Sequence, residues 1–119
     1  MTRKRVYVES SVISYLTARP TKDELNKMRQ RLAALWWERR HEWDCVVSDT
    51  VLLEIAEGDP GAAARRMEKA HTLVKIPASP ETGRLADLLV ARKLVPEPAD
   101  ADAVHLAAAA VHGVHYLLT

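Results

Sequence analysis

Apolar residues change their spacing several times along this chain, and each change marks an expected element. Val6-Tyr7-Val8 is a short β-branched and aromatic run that stops at Glu9. Such residues suit a pleated, buried strand. Ser10 and Ser11 come next, and either hydroxyl can accept from the first free amides of a helix. A strand is therefore expected to end here, and a short helix through Val12, Ile13, Tyr15 and Leu16 to begin. Arg19-Pro20 closes it. From about Thr21, the residues Leu25, Met28, Leu32, Leu35 and Trp36 recur with helical spacing, forming one apolar stripe about five turns long. Lys22, Asp23, Lys27, Arg31, Glu38 and Arg39 fill its polar side. Trp36, Trp37 and Trp43 read as core or inter-subunit packing more readily than as a base-stacking platform.

The second strand is expected over Trp43 to Ser48, with Ser48 capping a helix from Asp49 to Glu57 that turns Val51, Leu52 and Ile55 inward. Gly58-Asp59-Pro60-Gly61 breaks the pattern, and an alanine-rich helix runs on to about Ala70. Leu73 to Ile76 reads as a third strand. Ser79-Pro80-Glu81 combines a cap, a first-turn proline and an acid at the positive end of the helix dipole. Leu85, Leu88 and Leu89 form the inner stripe of the helix that follows. Pro96-Glu97-Pro98 separates it from a last helix, capped near Asp100, whose core face is Val104, Ala107, Ala108 and Val111. Gly113 ends that helix, and Val114 to Leu118 is a fourth strand.

Strands alternating with helices imply an α/β fold, a parallel sheet of about four strands flanked by helices on both faces. There is no internal repeat or linker, so residues 1–119 read as a single domain. A hydrophobic strand as last element leaves an unpaired edge, which proteins normally avoid. The expectation is a domain cut short at its C-terminal end, or one whose edge a partner covers, as in a homodimer.

A net charge of +1 excludes a global field that would gather a polyanion. Local clusters, Arg3-Lys4-Arg5, Arg39-Arg40, Arg65-Arg66 and Arg92-Lys93, would have to do so. The single cysteine, Cys45, lies in an apolar run and reads as a small buried hydrophobe. With no disulfide possible within the chain, a reducing, cytoplasmic setting is expected. The basic start is followed by too short an apolar run for a signal peptide, and no segment approaches a membrane span.

Three carboxylates fall in comparable places. Glu9 follows the first strand, Glu54 lies in the helix after the second, and Asp102 lies in the first turn of the helix before the fourth. In a parallel sheet these positions converge on the rim at the carboxyl ends of the strands, where ligands bind. Two carboxylates ~4 Å apart repel by about 4 kcal/mol at an effective dielectric near 20. A hard cation relieves this, and Mg²⁺ or Mn²⁺ bound by such acids suits phosphodiester hydrolysis. Each acid also has a plainer reading. Glu9 can be a surface residue at a strand end, Glu54 can share a solvated face with Glu57, and Asp102 can serve the helix dipole. His105, one turn after Asp102 on an alanine-rich face, reads as a hydrogen-bonded packing residue before a metal ligand. Ser11 can cap, or orient a metal-bound water.

The stretches Val8-Glu9-Ser10-Ser11-Val12-Ile13-Ser14-Tyr15-Leu16, Val47-Ser48-Asp49-Thr50-Val51-Leu52-Leu53-Glu54-Ile55 and Ala101-Asp102-Ala103-Val104-His105-Leu106-Ala107-Ala108, with Tyr116-Leu117-Leu118-Thr119, resemble the successive motifs of PIN domains. The nearest kind is the VapC-like toxin ribonucleases of type II toxin–antitoxin systems. The resemblance spans essentially the whole chain, in order. It implies a PIN-like sheet and a Mg²⁺- or Mn²⁺-dependent endoribonuclease acting on RNA, with a cognate antitoxin as partner. By position it implies Glu9, Glu54 and Asp102 as catalytic, metal-holding acids, with Ser11 supporting. The chain departs from the family in having Glu9 where Asp is usual, and in stopping at Thr119, before the family's last acidic or amide residue and final strand. Those departures favour a second expectation, a catalytically impaired PIN-like module that binds a partner or RNA. A receiver-like domain also places acids after its first strand, but it needs a lysine near the end of its last strand, and Val114 to Leu118 has none.

Overall fold

A computed structural model describes residues 3–95 and 100–119, leaving aside the side chains at 100 and 101. The chain folds as β1 (Arg5–Val8), α1 (Ser10–Thr17), α2 (Glu24–Glu38), β2 (Asp44–Val47), α3 (Asp49–Ile55), α4 (Pro60–Ala70), β3 (Val74–Lys75), α5 (Pro80–Ala91), α6 (Asp100–Val111) and β4 (Tyr116–Leu118). A 3-10 turn, Arg40–Glu42, leads into β2. The break expected at Pro96-Glu97-Pro98 lies outside the described residues, as does the side chain of Asp100, expected as the cap.

The strands form one all-parallel sheet in the order β3-β2-β1-β4, flanked by six α-helices among the described residues. Val6 pairs with Cys45 on one side and Tyr116 on the other, and Val8 with Leu118. The chain steps from β1 to β2 and β3 in one direction, then returns to place β4 on the far side of β1. The reversal point is therefore the crevice between the carboxyl ends of β1 and β4, the position at which open α/β sheets bind ligands. Glu9 opens onto that crevice, its amide donating to Leu118 O at 3.0 Å.

Burial of β1 and β2 explains why both read as continuous apolar runs, as strands covered on two faces do. Tyr7, Val8, Val46 and Val47 are buried, with Ile13, Val51, Ile55, Ala70 and Ile76 packed around them. A second cluster joins α5 to α6 through Ala86, Val95, Ala103 and Ala107. Cys45 is buried, its thiol donating to Arg40 O, and burial pushes that thiol up from its ordinary pKa. Trp36 stacks on Trp43 with ring centroids 6.3 Å apart, and the Arg40 guanidinium lies over Trp37. The tryptophans are packing residues in this fold.

Caps account for most boundaries. Ser48, Asp59 and Ser79 each accept from the amide three residues on, and Pro60 and Pro80 occupy first-turn positions that need no amide hydrogen. Arg66 closes α3 from outside, donating to Ile55 O and Glu57 O. Two expectations change at helix starts. Glu9, not a serine, is the residue before α1, without a side-chain cap, and α2 begins at Glu24 behind Asp23, not near Thr21. Thr21 instead accepts from the Asp23 amide in the turn before the helix.

The apolar stripe of α2 is the largest correction. Leu25, Met28, Leu32 and Leu35 are 52% to 60% exposed, and it is Ala33 and Trp37 that are buried. The helix packs against α1 with Ala33 buried in the core cluster and its leucines facing outward. Leu88 and Val111, expected inside, are exposed as well.

Both α5 and α6 end in the same motif. Val114 N donates to Ala109 O and Gly113 N to Ala110 O, with Gly113 at φ 64°. At the end of α5, Leu94 N donates to Leu89 O and Lys93 N to Val90 O, with Lys93 at φ 56°. A lysine there carries the left-handed cost that glycine avoids. Lys93→Gly is expected to raise stability by about 0.5–1 kcal/mol, part of the left-handed cost being offset by the freer unfolded chain. Urea midpoints of the two proteins measure it, and a lower midpoint for the glycine variant would contradict the assigned backbone.

Candidate functional site

Tyr7 is the hinge of the polar centre. It lies two residues before Glu9, and strand periodicity places both on one side of β1. Its ring is wholly buried, so its hydroxyl needs protein partners. It has two. Ser48 Oγ, at the end of β2, lies 2.5 Å away, and His105 Nδ1, on α6, 2.6 Å away. The other ring nitrogen of His105 lies 2.8 Å from Glu54 Oε1 on α3. Ser48 Oγ also accepts from Val51 N, which is the cap of α3. Four side chains on four elements thus form one continuous polar thread.

Its two ends differ. Ser48 is buried and His105 is 2% exposed, whereas the Glu54 side chain is 32% exposed and reaches the surface. Burial pushes the Tyr7 phenol from 10.0 up to about 12, with the charges of Glu9 and Glu54 adding to the rise and the Ser48 hydrogen bond opposing it. The charges of both acids therefore bear on the same phenol. Because the folded protein keeps this proton after an unfolded tyrosine has lost it, the stabilisation is whole below pH 10 and disappears as pH climbs to about 12. Urea unfolding of the metal-free protein is expected to weaken more steeply over that interval for wild type than for Tyr7→Phe. Parallel slopes would contradict a buried, protonated phenol.

Of the expected site residues, Glu54 is held in the thread and Glu9 stands beside it. Asp102 is exposed on α6, one turn before His105 and on the same side of that helix. Among the described residues, no group of three or more His, Cys, Asp or Glu side chains is gathered to hold one cation. Ser11 lies in the first turn of α1, two residues after Glu9. Its Oγ is buried with no partner among the described residues, and it lines a cavity of about 650 Å³ with Val12, Tyr15, Leu32, Trp36 and Leu118. His105 is the hydrogen-bonded packing residue its alanine-rich face suggested. Tyr7 and Ser48 were not singled out as site residues from sequence; the available signal was a tyrosine in register with Glu9 and a cap that also ends a strand.

The donor chemistry suits a hard divalent ion. Neither Glu9 nor Asp102 is in an ion pair among the described residues, and Glu54 meets only His105, through one of its two oxygens. One or two carboxylates completed by waters are the ordinary protein share of a Mg²⁺ shell. Several of the basic residues are committed elsewhere. Arg39 grips Glu42 with two hydrogen bonds, Arg66 holds the end of α3, and Arg40 covers Trp37.

Searches against family models and against curated proteins found no match to this chain. No helix among the described residues is long and apolar enough to cross a membrane.

Proposed function

We propose that the chain is a divalent-metal-dependent endoribonuclease of the PIN kind, the toxin of a toxin–antitoxin pair working in the cytoplasm. What supports this reading is Glu9 directly after β1 at the reversal point of a parallel sheet and Glu54 held by the His105–Tyr7 thread, in a chain whose ordered motifs resemble those of PIN domains. Glu9, Glu54 and Asp102 would hold Mg²⁺ or Mn²⁺, with Ser11 at the edge of the first motif. The bound ion would supply an activated water and charge relief for the phosphodiester. The chain's own part is to keep two acids from different elements at one rim and to exclude water from the thread behind them.

Cleavage of single-stranded RNA with Mn²⁺, with EDTA, and by Asp102→Asn tests this. Activity is expected with Mn²⁺ alone, lost with EDTA and cut at least tenfold in the variant. Equal cleavage by wild type and Asp102→Asn would remove α6 from the site.

A second reading, a PIN-like module that binds a partner without cutting RNA, is favoured by the outward leucines of α2 and the cavity beside them. A face of that kind marks an interaction surface. An antitoxin segment or a second copy of the chain would cover it. Metal-independent RNA binding with no cleavage under any ion would select this reading.

A further inference from the structure

The thread from Ser48 to Glu54 has only one arrangement of hydrogens that satisfies every member. Glu54, as a carboxylate, only accepts, so His105 Nε2 carries the hydrogen between them. A neutral ring then has a bare Nδ1, which must accept from the Tyr7 hydroxyl. Tyr7 Oη in turn accepts from Ser48 Oγ, and Ser48 accepts from the Val51 amide. Every donor therefore points the same way, from the backbone of α3 toward Glu54. In the reverse arrangement, with His105 donating from both nitrogens, Tyr7 would donate to Ser48. The Ser48 hydroxyl would then accept twice and its own hydrogen would be left buried without a partner, a costly state.

The blind end settles what the thread does. It stops at a backbone amide behind a buried serine, so no proton can enter or leave there. It orients a group and does not shuttle protons. We propose that His105 is a positioning residue: locked as its Nε2–H tautomer by Tyr7 and Ser48, it occupies Oε1 of Glu54 and leaves Oε2 as the oxygen for a divalent cation. This rests on the metal-dependent reading above for its consequence, though not for the tautomer. Partners of this kind behind a metal-holding side chain change metal affinity by about 10–100-fold when removed.

The ring nitrogens of His105 in the ¹⁵N-labelled 119-residue chain report the tautomer directly, without metal. A pyrrole-type Nε2 and a pyridine-type Nδ1 are expected. Calorimetric Mn²⁺ titration of wild type, Tyr7→Phe, His105→Ala and His105→Gln gives the consequence, each variant first checked for a cooperative urea transition. Affinity is expected to drop about 10–100-fold in His105→Ala and less in Tyr7→Phe. His105→Gln, whose amide can still donate to Oε1, should recover most of it. A ring protonated on Nδ1, or folded variants that all bind Mn²⁺ as wild type does, would overturn the proposal. If wild type binds no Mn²⁺ and cuts no RNA, the nuclease reading and the cation role fail together, while the ring spectrum still decides the tautomer lock separately.

Discussion

On the metal-dependent nuclease reading, Glu54→Gln is expected to reduce Mn²⁺-dependent RNA cleavage by at least about tenfold while the protein stays folded. The lower bound follows from comparison: removing a group that only supports a metal-holding side chain costs about 10–100-fold, so removing the holding carboxylate costs no less. Folding is expected to survive because the glutamine keeps an oxygen where Oε1 now accepts from His105 Nε2 at 2.8 Å. The buried thread behind it therefore stays satisfied, and the urea midpoint should move little. Single-turnover cleavage assays beside equilibrium unfolding separate the two effects. Unchanged cleavage in a folded Glu54→Gln protein would remove the end of α3 from the chemistry and leave the binding-module reading in possession.

Tyr7→Ala is expected to be the most destabilising single change, by about 3–5 kcal/mol for the cavity alone. Tyr7 is wholly buried in the inner strand β1, so little can collapse into the space its ring leaves. The change also strands His105 Nδ1 and the Ser48 hydroxyl without their partner, each adding about 1–3 kcal/mol as an unsatisfied buried group. Against a total of roughly 5–15 kcal/mol for a domain, this leaves little or no folded population. Tyr7→Phe fills the space and isolates the hydrogen-bond loss, so the difference between the two variants gives the packing share. A Tyr7→Ala protein that unfolds within 1 kcal/mol of wild type by urea titration (about a fivefold change in equilibrium) would contradict the buried placement of the ring.

The two cores show how far periodicity reaches. Leu25, Met28, Leu32 and Leu35 do share one side of α2, as their spacing requires, but that side faces outward. Spacing reveals which residues lie together on a helix and nothing about what the helix is set against. Here Ala33 allows α2 to approach the core cluster closely, and the larger residues are left for another surface. The end of α5 escaped notice for a related reason. The motif that ends it usually announces itself with glycine, and Lys93 adopts the same left-handed backbone without that signal. At Gly113 the glycine is present, and the end of α6 was legible.

The site divides in the same way. Glu9 after the first strand, Glu54 in the helix after the second and the cap at Ser48 follow from residues within a few positions of each other, since strand alternation, helix spacing and capping all act over that range. Their order along the chain, and hence a parallel α/β sheet, was determined by the sequence alone. The thread was not. Its links join residues 41, 98 and 51 positions apart, and it exists because the sheet order sets β1 beside β2 while α6 packs across to α3. Only the tertiary structure could decide that a tyrosine of an apolar strand and a histidine of an alanine-rich helix would meet behind Glu54. Burial then compelled them to bond, because neither could reach water.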